Sequence, residues 1–289
     1  MFTTLITPAD LAAHLDDPAF RIVDVRHELA DKTAGRRAFL ASRIPGALFL
    51  DAETQLAGVH TGTNGRHPLP VRDDFAALIA QAGIGDDTQV VVYDASGGSF
   101  AARLWWMLRW IGHDKVAVLD GGLPAWQAEG HPVDQLALDE MTAFKLPGAG
   151  ASPLSIRPPL VDTVDVDAVL GNLTQPAFAV LDARAAPRYR GEVEPMDPVA
   201  GHIPGALNRP YTENLTADQR FKPAEQLRDA FTGVLAGRTP QHLVHQCGSG
   251  VTACHNLLAM EVAGLGGSRL YPGSWSEWVA DPSRPVERS

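Results

Sequence analysis

One stretch of this chain sets a nucleophile in an unusual frame: Gln246-Cys247-Gly248-Ser249-Gly250-Val251-Thr252-Ala253. It follows an apolar, strand-like run and precedes a helical one, Cys254 to Val262. A cysteine at such a junction faces successive backbone N–H groups and the positive end of a helix, and both favour a thiolate over a thiol. Gly248 and Gly250 let the backbone curl into a cradle, because side chains there block amides from turning inward. The same cradle can hold the outer sulfur of a persulfide, which also carries negative charge. A strand-end cysteine is by default a core residue, and it is the two glycines and the helix start that turn the reading towards a functional thiol. Cys254 lies about two helical turns further on, fits no C-x-x-C spacing, and reads as core.

Two other loop chemistries share parts of this pattern. Gly248-x-Gly250-x-x-Ala253 matches the dinucleotide fingerprint, which expects an acid about 20 residues later to hold a ribose. That position falls in Tyr271-Pro272-Gly273-Ser274, which has no carboxylate, so the fingerprint is rejected. A cysteine phosphatase also cradles a thiolate in amides, with the pattern H-C-x5-R and an arginine clamping the phosphate. Here Gln246 precedes the cysteine and Ala253 fills the arginine slot, leaving a doubly charged phosphate without its bidentate donor.

The elements that position the loop come from a duplication. Ile22-Val23-Asp24-Val25-Arg26 reads like Val180-Leu181-Asp182-Ala183-Arg184, and Ile44-Pro45-Gly46-Ala47 recurs as Ile203-Pro204-Gly205-Ala206. Val90 to Asp94 corresponds to Leu243 to Cys247; Gly121-Gly122, with Trp126 after them, corresponds to Pro272-Gly273 and Trp278. The pairs lie about 155 residues apart in the same order, a tandem repeat rather than a solenoid. Each half opens on a helix cap, Thr7-Pro8 in one and Asp165 in the other. Short β-branched runs then alternate with helical stretches: Arg21–Val25, Gln89–Tyr93 and Val116–Leu119, then Phe178–Asp182 and Gln241–Gln246. The pattern predicts an α/β protein of two tandem domains, each a parallel sheet with helices on both faces. The expected boundaries are residues 1–145, a Pro- and Gly-rich linker 146–159, and residues 160–289. The first loop has Asp94 where the thiol stands in the second, so the first domain is expected to be catalytically silent.

Composition limits the partners. With 289 residues, 24 Lys+Arg and 34 Asp+Glu, the chain carries a net charge of −10 and offers no counter-charge to nucleic acid or an anionic membrane. No apolar run approaches the ~20 residues of a membrane span, and no basic-then-apolar leader opens the chain. Two cysteines exclude a disulfide scaffold and argue against a cysteine-built metal site, so no metal is expected and the cytoplasm is the expected compartment.

The doubled unit, the repeated I-P-G-A, the cysteine loop and the Gly273–Trp278 segment resemble the rhodanese family over nearly the whole chain. The loop spelling C-G-S-G-V-T-A is similar to that of its mercaptopyruvate sulfurtransferases, whereas thiosulfate-preferring relatives carry Arg and Lys after the cysteine. The resemblance implies sulfur transfer from 3-mercaptopyruvate through a Cys247 persulfide to cyanide, a thiol or a thioredoxin-like dithiol protein, without a cofactor. Thiosulfate:cyanide transfer by the same persulfide is the alternative; a phosphatase and a non-catalytic persulfide-binding module are the readings from other classes. It further implies that Gly248, Gly250, Val251 and Thr252 line the donor site and that Arg188 grips the donor's carboxylate and keto oxygen. A planar guanidinium suits a planar α-keto acid. Ser249, His67 and Asp51 resemble a proton relay, for which the first-half loop Thr63–Pro70 must reach the second half. The relay is chemically reasonable, since C–S cleavage of mercaptopyruvate leaves an enolate that needs a proton. Arg184 is expected to brace structure within the repeated D-x-R, and His245 to pack in the core. One departure stands out: Glu194-Pro195-Met196-Asp197 has Met196 where the family's mercaptopyruvate enzymes often place a second substrate arginine, which weakens the preference for that donor.

Overall fold

The computed structural model describes residues 1–135, 144–148 and 153–289. They divide into two compact units: Met1–Gly58, Pro70–Leu160 and Asp218–Arg220 form the first, and Val59–Leu69, Val161–Ala217 and Phe221–Ser289 the second. Among the described residues no helix is long and apolar enough to cross a membrane.

The first unit runs β1 (Leu5–Ile6), α1 (Pro8–Ala12), β2 (Phe20–Asp24), α2 (Ala34–Ala41), β3 (Leu48–Phe49), α3 (Arg72–Gln81), β4 (Gln89–Tyr93), α4 (Ala101–Trp110), β5 (Val116–Leu119) and α5 (Gly122–Ala128). The second continues with α6 (Val166–Asn172), β6 (Ala179–Asp182), α7 (Ala186–Arg190), β7 (Leu207–Asn208), α8 (Ala224–Leu235), β8 (Leu243–Gln246), α9 (Ala253–Val262), β9 (Arg269–Leu270) and α10 (Ser274–Trp278). The predicted caps form: Thr7 Oγ1 accepts the Asp10 N–H with Pro8 opening α1, and Asp165 Oδ1 accepts the Ala168 N–H at α6.

Both sheets are parallel. The first has the order β1-β5-β4-β2-β3; the second has β7-β6-β8-β9, and a parallel bridge between Thr163 and Leu270 puts the counterpart of β1 beyond β9. The strand order is therefore the same in both units. The central strands β4, β5 and β8 are buried along their whole length, which is why β5 and most of β4 read as apolar runs; β8 also buries two polar residues, His245 and Gln246. The two-residue strands escaped the sequence pattern because so short a run shows no period. Gln241 and His242, expected in a strand, sit in a 3-10 turn opened by Pro240.

The repeated motifs do the same structural work twice. In each D-x-R, the arginine Nε donates to both oxygens of the aspartate two residues earlier, at 3.1 and 2.9 Å for Arg26–Asp24 and 3.1 and 3.0 Å for Arg184–Asp182. A second nitrogen ties the strand end to the chain ahead of I-P-G-A, at Ser42 O and Gly201 O respectively. Each I-P-G-A closes a tight turn, Ala47 N–H to Ile44 O and Ala206 N–H to Ile203 O. Its glycine sits at φ +73 in both copies, the left-handed position a type II turn requires after proline.

The fourth repeat needs a correction of one residue. Leu123 N–H reaches Asp94 O as Trp275 N–H reaches Cys247 O, so Gly121-Gly122 corresponds to Gly273-Ser274 and not to Pro272-Gly273. The left-handed pair Gly122 (φ +59) and Ser274 (φ +55) agrees with that register. The Leu146–Pro159 segment lies on the first unit where it is described: Gly148 N–H donates to Gln81 O and Arg157 N–H to Ile111 O. Residues 149–152 of it lie outside the described residues.

Candidate active site

Strand β8 delivers Cys247 to the sheet's carboxyl edge, and α9 begins at Ala253, so Gly248–Thr252 form the connecting turn. Cys247 is 2% exposed and Ser249 6%. The turn is braced by the chain entering α10. Cys247 N–H donates to Ser274 Oγ at 3.1 Å, Trp275 N–H to Cys247 O at 3.0 Å and Ser276 N–H to Gly248 O at 2.9 Å. Gly250 is obligatory: its φ is +78, and a Cβ there would stand 2.2 Å from Pro272 O. The Cys254 thiol donates to Gly250 O at 3.3 Å from a fully buried position, holding the turn from the helix side.

The loop carrying His67 belongs to the second unit although its sequence lies in the first half. Gly65 (φ +83) comes so close to Gly273 that a Cβ would meet its carbonyl at 2.7 Å. The Arg66 N–H donates to Ser276 Oγ at 3.0 Å, and His67 Nδ1 lies 2.8 Å from Ser249 Oγ. Three consecutive residues thus anchor the loop, and His67, 6% exposed, pairs with the hydroxyl two residues after Cys247.

Two guanidiniums border the turn. A Cβ on Gly248 would lie 2.8 Å from Arg66 Nη2 and 3.6 Å from both Arg188 Nη1 and Nη2, so glycine is what admits them. Arg188, in the middle of the short helix α7, is held by Glu194 through contacts of 2.6 and 3.2 Å. Burial opposes ionisation of Glu194, but the Arg188 guanidinium and the Met196 and Asp197 N–H groups outweigh it and keep its carboxyl below the usual range. Asp197 touches both arginines, pairing with Arg66 Nη1 and approaching Arg188 Nη2 at 3.5 Å. Burial pushes the Asp197 carboxyl up despite Arg66.

The first unit contains the same turn with a different occupant. Asp94 Oδ1 accepts the Ser96 and Gly98 N–H groups at 2.9 Å each, and Oδ2 accepts those of Phe100 and Ala101 at 2.8 and 3.0 Å. Four amides at a helix start therefore converge on one carboxylate, itself 1% exposed. This turn is one residue longer, Ala95–Phe100 against Gly248–Thr252.

Cys247, Gly248, Ser249, Gly250, Val251, Thr252, His67 and Arg188 all lie in the second unit. Asp51 lies in the first, where its Oδ1 accepts the Glu53 and Thr54 N–H groups at 3.0 and 3.1 Å and caps a local turn. Sequence reasoning missed Arg66, Asp197 and Ser274. Arg66 adjoins His67 in sequence, and that adjacency was its one available signal; nothing local marks Ser274 as the acceptor for Cys247.

The comparisons with known proteins agree with this architecture. The model of the rhodanese-like domain matches residues 7–129 and again 165–281. A Pseudomonas aeruginosa protein named "Probable 3-mercaptopyruvate sulfurtransferase" is 49% identical over 286 residues, covering 98% of this chain and 97% of that one. The 3-mercaptopyruvate sulfurtransferase of Escherichia coli is 38% identical over 293 residues, covering 99% of each. Among solved structures, the 3-mercaptopyruvate sulfurtransferase from Leishmania major superposes with a TM-score of 0.83 at 31% identity, covering 98% of this chain and 75% of that one. The chain, with its twice-built sheet and its single cysteine turn, belongs to the rhodanese-like domain family.

Proposed function

We propose that the chain is a sulfurtransferase that carries sulfur as a persulfide on Cys247 and takes it from 3-mercaptopyruvate. The observation that carries this is the occupant of the first unit's turn. Asp94 places anionic atoms two bonds beyond Cβ, where four amides hold them. A persulfide on Cys247, Cβ–Sγ–Sδ, places its anionic atom the same two bonds out, in the sister turn.

In the forward half-reaction the Cys247 thiolate attacks the donor's sulfur. The S–S bond forms as the C–S bond breaks, and the bonding pair leaves on pyruvate enolate. The donor's thiol proton is the one the enolate carbon finally needs. In this reading Ser249 and His67 move it, supported by their 2.8 Å contact, with Asp51 the further member that the family resemblance suggests. Arg188 receives the donor's carboxylate, while Gly248, Gly250, Val251 and Thr252 shape the turn around the sulfur. In the second half-reaction an acceptor nucleophile takes the outer sulfur and restores the thiolate; cyanide leaves as thiocyanate, and a small thiol or a thioredoxin-like dithiol serves in the same way. A reducing, cytoplasmic setting suits a carrier that depends on a free thiol. Thiosulfate is the second donor reading, favoured by the uncharged Met196, because sulfite departs without needing a proton.

The test is intact-mass analysis after a stoichiometric pulse of each donor. The wild-type chain should gain one sulfur atom and lose it on adding cyanide, and Cys247→Ser should do neither. Turnover by Cys247→Ser comparable to wild type would end the persulfide reading.

A further inference from the structure

Residues 285–289 run back across the second unit as a strap. Glu287 pairs with His202 in an isolated antiparallel bridge, His202 N–H to Glu287 O at 2.8 Å and Glu287 N–H to His202 O at 2.9 Å. Pro285 O accepts from Trp278 Nε1 at 2.9 Å, and Arg288 Nε donates to Ala200 O at 3.1 Å. The crossing is tight. A Cβ on Gly201 (φ +125) would stand 2.4 Å from Glu287 O, and one on Gly191 (φ +80) 2.9 Å from Arg288 Cγ.

The first unit has the same strap and a different use for it. Trp126 Nε1 donates to Pro132 O at 2.7 Å, and Arg43, which precedes its I-P-G-A as His202 precedes the second, bridges to Asp134. The bridge uses backbone groups alone, so it belongs to the repeated fold and leaves both side chains free to differ. Arg43 lays its guanidinium over the Phe39 ring at 5.1 Å. His202 instead faces α7, which carries Arg188. Its ring stacks on Tyr189 at 3.8 Å, and its Nδ1 lies 2.8 Å from Tyr189 O. A carbonyl only accepts, so Nδ1 carries the proton. Nε2 faces Glu287 Oε2 at 3.7 Å, and that oxygen also accepts the Gly205 N–H at 2.9 Å. Ser289 N–H reaches Arg190 O at 3.4 Å. The two residues that follow Arg188 are therefore held at their carbonyls, one by the strap and one through His202. With five residues and none of them buried, α7 cannot fix its own position.

We infer that His202 and Glu287 are positioning residues for donor binding: through Tyr189 O they fix α7, and with it the direction from which the Arg188 guanidinium meets the donor. This rests on the reading of Arg188 as the group that receives the donor's carboxylate. Neither residue has to touch a reacting atom.

The experiment is steady-state kinetics with cyanide as acceptor, run on the full chain with and without Arg188→Ala. His202→Ala should raise KM for 3-mercaptopyruvate roughly three- to tenfold, with kcat within about twofold of wild type. In the Arg188→Ala background it should change KM by less than about twofold, because the group it positions is gone. His202→Asn, whose amide N–H can take the place of Nδ1, should recover most of the loss. Discharge of a preformed persulfide by cyanide, followed by intact mass, should be unchanged in every variant. The same KM factor in both backgrounds, which a merely structural role predicts, overturns the inference and leaves Arg188 in place; so does an unchanged KM for His202→Ala. An Arg188→Ala chain with the KM of wild type overturns the carboxylate-grip reading, and this inference with it. Should His202→Ala fail to fold, Glu287→Ala decides, since that side chain is 51% exposed. A KM raised only where Arg188 is present supports positioning, and an equal effect in both backgrounds, or none, overturns it.

Discussion

The turns after β4 and β8 are the repeated counterparts of one unit, each with a strand before it and a helix after it, yet one holds a carboxylate of its own and the other a thiol. In the first, the chain supplies its own anion: Asp94 is wrapped by four amides and nothing is left to bind. In the second, a shorter side chain ends in sulfur, and the turn is one residue tighter. Neighbouring positions diverge in the same direction. Val92 and Tyr93 become His245 and Gln246, Gly122 becomes Ser274, and Arg66, His67 and Arg188 gather around the second turn. A helix-start amide cradle is thus a stabilising device when filled from within and a reactive site when its anion has to come from outside.

Exchanging the occupants separates these two uses. Cys247→Ala should remove all sulfur transfer with little change in stability, whereas Asp94→Ala should cost at least ~3 kcal/mol by orphaning buried amides. Transfer per folded molecule should survive in Asp94→Ala; urea unfolding alongside a cyanide assay reads both. His67→Ala should slow turnover with mercaptopyruvate by roughly 100-fold, yet leave thiosulfate turnover within a few-fold, since only the former needs a proton delivered. Equal losses with both donors would instead make His67 a brace for Ser249.

The strand residues offer a pH test. Burial alone pushes His245 down to about 3, while the unfolded chain titrates near the ordinary value of ~6.5. Between those values the unfolded state binds the extra proton, so stability falls as pH drops below about 6.5 and levels off below about 3. By pH 4.5 the loss is on the order of 3 kcal/mol. His245→Val, which restores the first unit's residue, should flatten that slope in urea titrations from pH 7 to 4.5. The smallest effect belongs to Ser274→Ala. It removes the acceptor of the Cys247 N–H and should cost ~1 kcal/mol, seen as a modest fall in Tm.

The local sequence determined more of this protein than is usual, because so much of it is written twice. Short apolar runs marked the central strands, the two capped helices were marked by Thr7 and Asp165, and the repeated I-P-G-A and D-x-R marked the duplication. Cys247, ahead of two glycines at a strand-to-helix junction, was legible for the same reason. What the sequence left open was everything decided by residues far apart along the chain. His67 meets Ser249 across 182 positions, and Arg66 reaches Gly248 and Asp197 from the same loop. The one-residue register of Gly273-Ser274 was settled by a hydrogen bond to the cysteine's own carbonyl. Spacing rules express the period of a helix or strand; they carry no information about which loop packs on which turn. Only the tertiary fold could show that the turn's second guanidinium comes from the other half of the sequence.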